Sequence, residues 1–125
     1  LKEVINVARC DQKIAHCYIE LDDGEAALAA AQKSLDVFVT AHDHRRETYS
    51  LVELGKAQVL VGRTQEGLET LQRVLDITTD AEWKDFEFIV EIEKRIAGVL
   101  RLLGRAVEAD EIERRIASVT DVLEG

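Results

Sequence analysis

The chain has 125 residues, 46% of them apolar and 33% charged, with no proline and a net charge of −9 from 16 basic and 25 acidic side chains. That apolar share is enough for a core and excludes intrinsic disorder, while the acidic balance disfavours nucleic-acid backbones and anionic membrane surfaces as partners. No apolar run approaches the roughly 18 residues of a membrane span; strong helix formers dominate without sustained period-2 alternation, so an all-α fold is expected.

Six helices are predicted in chain order, over about 2–22, 25–42, 45–62, 65–78, 81–103 and 106–123. The first opens on LKEVINVARC, where Leu1, Ile5 and Ala8 already keep helical spacing, so the chain reads as a piece of a longer protein. It carries both cysteines, Cys10 and Cys17. On one helix they sit roughly 10 Å apart, too far for a disulfide. Free thiols fit a reducing, cytoplasmic setting, and the apolar neighbours predict buried, inert side chains. His16 and Glu20 read as a surface pair.

Between the second and third helices lies AHDHRRE. Asp43 is the predicted N-cap of the third helix. His42 and His44 lack further metal ligands nearby, so the stretch reads as a solvated turn. Thr79 with Glu82 forms a predicted capping box for the fifth helix, to which Trp83, Phe86, Ile89, Val90 and Ile96 give a broad apolar surface.

Helix breaks recur at Asp22-Asp23-Gly24, Gly62-Arg63 and Gly104-Arg105. Glycine tolerates the left-handed conformation that ends a helix. Five residues after each break stand Ala27, Gly67 and Ala109; seven before stand Ala15, Gly55 and Ala97. Ile14, Leu54 and Ile96 come one residue earlier still, and Ser34, Val74 and Ile116 follow twelve after the break. Small residues let paired antiparallel helices approach closely, and the large aliphatics fill the seam. Gly55, in mid-helix, costs up to ~1 kcal/mol against alanine, which a close helix crossing explains.

Helix pairs at this period predict an α-solenoid. The arrangement resembles the tetratricopeptide repeat (TPR) family, through the pairs Ile14-Ala15, Leu54-Gly55 and Ile96-Ala97, through Tyr18, the breaks Gly62 and Gly104, and the small residues Ala27, Gly67 and Ala109. The repeats are longer than the family's usual ones and lack the proline that often closes a repeat. Asp110 and Glu113 stand where apolar residues are usual. Ala109, Ile112, Ile116, Val119 and Leu123 still form one apolar stripe, so the last helix reads as a terminal one with a polar outer face. The expected organisation is one domain of three helix pairs, 1–42, 43–79 and 80–125.

No catalytic, cofactor or metal residue is assigned. GRTQEG lacks the spacing and lysine of a phosphate loop, and no HExxH or CxxC occurs. Ser34, Ser50 and Ser118 lack a nucleophile elbow, while Glu87, Glu91 and Glu93 read as a solvated face. The resemblance implies a concave groove lined by the first helix of each pair. Its exposed positions would be Arg9, Gln12, His16 and Glu20, then Tyr49, Val52, Lys56 and Val59, then Glu91, Lys94 and Arg101. Four cations against two carboxylates make a mildly basic groove in an acidic chain. The expected function is a non-enzymatic, regulatory protein-interaction module that binds an acidic peptide or helix. A chaperone-type carboxylate clamp uses groove asparagines, and the single asparagine, Asn6, argues against one. The alternative is an oligomerisation or sensory segment of a bacterial signalling protein or transcription regulator, forming a homodimer through the Trp83–Val90 surface.

Overall fold

Four of the connections between helices are built the same way. The computed structural model describes residues 1–83 and 85–124, without the side chains of Leu123 and Glu124. Among the described residues there are six helices: α1 (Lys2–Glu20), α2 (Gly24–Thr40), α3 (His44–Leu60), α4 (Thr64–Asp80), α5 (Phe86–Leu102) and α6 (Ala106–Glu124). At Asp22, His42, Gly62 and Gly104 the backbone turns left-handed, with φ of 62°, 56°, 88° and 76°. Each of these amides donates to the carbonyl three residues back. The next amide (Asp23, Asp43, Arg63 or Arg105) donates five residues back, at 2.8–3.0 Å. This paired closure satisfies carbonyls that the helix end leaves open.

The three predicted breaks therefore end helices as expected. His42 adds a fourth, within the stretch expected to be a solvated turn. Asp22, His42 and Gly62 stand at even intervals, so in this part of the chain the break returns after every helix rather than after every pair. Asp43 caps α3 as predicted, accepting from the Arg46 amide at 3.2 Å, and Asp23 caps α2 through Ala26 in the same way.

The α4–α5 connection corrects the predicted capping box. α4 runs on to Asp80, and the Thr79 hydroxyl donates back to the Leu75 carbonyl at 2.7 Å inside that helix. The start of α5 is set instead by Asp85, whose carboxylate takes the Glu87 and Phe88 amides at 2.9 and 3.3 Å. Trp83 consequently lies ahead of α5 rather than within it.

The chain divides into two compact units, 1–70 and 71–125. In the first, α1 packs on α2 and α3, and α2 packs on α3. Small side chains make these contacts close: Ala8, Ala15, Ala27, Ala31 and Ala57 are fully buried around Phe38 and Leu51. Ser34 on α2 and Ser50 on α3 meet in this core, oxygen to oxygen at 2.9 Å. A Cβ at Gly67 would lie 2.9 Å from the Gly55 carbonyl oxygen and 2.5 Å from the Val59 side chain, so α3 and α4 approach where the repeat places two glycines.

Ile14 departs from its predicted seam. Leu54 and Ile96 are buried, but Ile14 is 44% exposed. On α3 the face of Glu47, Ser50, Leu54 and Ala57 is buried under α2; the matching α1 face of Val7, Cys10, Ile14 and Cys17 is exposed. The cysteines are thus exposed free thiols rather than buried ones, because the helix that would cover this face has no counterpart among the described residues.

In the second unit α5 packs on α6. Leu71, Val74, Ile92, Ile96, Ala97, Leu100 and Ala109 form its core. Along the expected α6 stripe, Ala109 and Ile116 are buried, Ile112 is half-buried and Val119 is exposed. The side chain of Leu123 lies outside the described residues.

Candidate functional site

Residue numbers rise together across the contact between α1 and α3: Arg9 and Gln12 share a cavity with Arg45 and Tyr49, and His16 meets Glu53 further along. The two helices therefore run parallel, with a lane between them. Repeat geometry puts side chains of the first helix of each pair into this lane, and the lane carries two different chemistries.

At one end lies a cavity of about 500 Å³ lined by Arg9, Gln12, Lys13, Asp43, Arg45, Arg46 and Tyr49. Four of these are cations and one is a carboxylate. Arg46 donates to Asp43 at 2.8 Å, and Arg45 donates through Nε to the Tyr49 hydroxyl at 3.2 Å. Asp43 thus caps α3 with one oxygen and steers Arg46 with the other. The predicted residues Arg9, Gln12 and Tyr49 come together here. Lys13, Arg45 and Arg46 belong to the same cavity and were missed. The signal for Arg45 and Arg46 was the doublet following an N-cap, which places both in the first turn of the helix.

At the other end a carboxylate gathers side chains from both helices. Glu53 on α3, 12% exposed, lies 3.7 Å from His16 Nδ1 and 3.4 Å from Lys56 Nζ, and His16 also reaches Glu20 at 4.0 Å. His16 and Lys56 are therefore brought together, but around a shared carboxylate. Lys56 is itself only 12% exposed. Val52 corrects the predicted set: at 6% exposure it is core, since α3 is packed on more than one side.

The remaining groove candidates belong to the second unit. Arg101 donates to Asp110 at 2.7 Å and to Glu113 at 2.8 and 3.3 Å. These hydrogen bonds hold its guanidinium protonated well beyond the ordinary arginine range, so its charge is offset locally. Asp110 and Glu113, the two departures from the repeat pattern, thereby act as acceptors for α5. Arg105 holds Glu108 below the usual carboxylate range through a two-point hydrogen bond. Lys94 and Glu91 are exposed and border a shallow depression with Phe86, Val90 and Val119. Beside it, Leu75, Ile89 and Ile116 help to line a second, mainly apolar cavity of about 320 Å³, on whose rim Phe86 is 64% exposed.

Among the described residues no three His, Cys, Asp or Glu side chains are grouped so as to hold a metal ion, and no helix is long and apolar enough to cross a membrane. His44 lies 3.3 Å from Glu47 at the start of α3.

No family model and no curated protein matches the sequence. Among solved structures the chain is similar to the TPR domain of Arabidopsis FLU. The two share 17% sequence identity at a TM-score of 0.80, over 94% of this chain and 97% of the other. The chain has a TPR-like helical-repeat fold, as the spacing of its breaks and small residues implied.

Proposed function

We propose that this chain is a protein-interaction module of three helix-pair repeats, 1–42, 43–79 and 80–125, that holds an acidic segment of a partner protein in the lane between α1 and α3, in a regulatory setting. One observation carries the reading. In a chain of net charge −9, one cavity gathers four cations against one carboxylate. A concave site lined by one sign of charge concentrates its field and attracts the opposite sign. Such complementarity sets partner choice and association rate more than raw affinity. The fold supports the same reading by analogy, since helical-repeat proteins offer extended concave binding surfaces.

The test is fluorescence anisotropy with a fluorescein-labelled peptide bearing a run of Glu and Asp, titrated with wild type, Arg9→Glu and Arg45→Glu. Each reversal should weaken binding by about tenfold or more, the size expected for a charged contact, with helix content by circular dichroism unchanged. Unchanged affinity in both variants overturns the site. Because Lys56 and Arg101 already have carboxylate partners, reversing them tests the fold more than the site.

A second reading is favoured by the exposed Phe86 and the apolar cavity beside it: a second copy of the chain pairs through this face. It leaves the basic cavity without a role.

A further inference from the structure

A single carboxylate of the acidic segment leaves most of this cavity's charge unmatched. The cavity offers three guanidiniums and one ammonium, less the charge of Asp43, a balance of three positive charges. A single carboxylate brings one negative charge and engages one guanidinium fork. Two of the forks are already oriented by the protein, Arg46 by Asp43 and Arg45 by Tyr49, which lowers the cost of presenting them to a ligand. Gln12 and Tyr49 add neutral polar groups to the same wall. Arg45 and Arg46 sit in the first turn of α3, where the helix end itself favours negative charge.

A phosphomonoester fits this set better. It carries about −1.5 to −2 charges near neutral pH and three strong acceptor oxygens, and the planar guanidinium matches its edge with two parallel hydrogen bonds. The cavity volume of about 500 Å³ leaves room for the side chain bearing the phosphoryl group as well as the group itself. We infer that the cavity takes a phosphorylated serine or threonine within the acidic segment. The inference rests on the acidic-segment reading and narrows it: partner capture depends on a kinase having acted on the partner first.

Three fluorescein-labelled peptides, identical but for Ser, Glu or phosphoserine at one position in an acidic context, test it by anisotropy. The phosphoserine peptide should bind at least about tenfold more tightly than the Glu peptide, which in turn binds more tightly than the Ser peptide. The advantage should shrink on moving from about pH 7.5 to about pH 5, because the second phosphate ionisation lies near pH 6, whereas the Glu peptide changes little over that span. Arg9→Lys keeps the charge but removes one fork; it should cost the phosphoserine peptide several-fold and leave the Glu peptide within about twofold. Equal affinity for phosphoserine and Glu on the wild-type protein overturns the phosphoryl assignment and leaves the acidic-segment reading standing. Failure of all three peptides to bind overturns both.

Discussion

Four residues hold a left-handed backbone, and only two of them are glycines. At φ of 88° and 76°, Gly62 and Gly104 occupy a region that costs a side-chain-bearing residue roughly 1–2 kcal/mol. Gly62→Ala and Gly104→Ala should each lose about that much stability in urea denaturation, and an unchanged midpoint for both would show that the turns do not depend on glycine. His42→Gly should move the other way by up to about 1 kcal/mol, because histidine sits there at φ of 56° with a Cβ. The difference explains what the sequence revealed. Glycine announces such a turn, and aspartate tolerates it. Histidine carries no backbone signal, and in AHDHRRE its ring drew attention to metal chemistry. The same stretch hid Arg45 and Arg46, whose role appears only once Asp43 is seen to start the helix and α1 to lie beside it.

Helix contacts decide which glycines matter to packing. Gly67 faces the Gly55 carbonyl across α3 and α4, whereas an added Cβ at Gly98, in mid-helix on α5, would meet nothing within 4 Å. Gly67→Ala should therefore destabilise by about 1–3 kcal/mol through overpacking, while Gly98→Ala should stabilise by up to about 1 kcal/mol through helix propensity. Urea titration of the pair separates the two effects; the same sign for both would refute the close crossing. A helix start was legible where a cap residue stood in a polar turn, as at Asp43. The start of α5 was not, because Thr79 and Glu82 match a capping box while the buried positions Leu71, Val74 and Thr78 carry α4 to Asp80. Ile14 shows a related limit. Spacing marked it as a seam residue, but spacing does not say whether a second helix is there to make the seam.

For the whole molecule, partner capture and self-pairing separate by mass. Light scattering over a wide concentration range should give 14.0 kDa throughout if the basic cavity serves a foreign partner. A stable mass of twice that would put the Phe86 face first. The repeat fold was legible because its evidence is distributed: Ala15, Gly55 and Ala97 are each unremarkable, and only their common offset from a break carries information. The site was legible in part. Arg9, Gln12 and Tyr49 could be placed through the family resemblance, but Val52 could not be told from an exposed position, and nothing in the sequence says that Lys56 and Arg101 spend their charge on Glu53 and on Asp110 with Glu113.

The even spacing of Asp22, His42 and Gly62 has a kinetic side. Within the first unit every helix finds its packing partner next to it, or next but one, along the chain. Closing such short segments loses little chain entropy, and that loss grows only slowly with length. Structures assembled from near neighbours fold fast. The walls of the basic cavity, α1 and α3, both lie between residues 2 and 60, so the first unit can form them from near-neighbour contacts of its own.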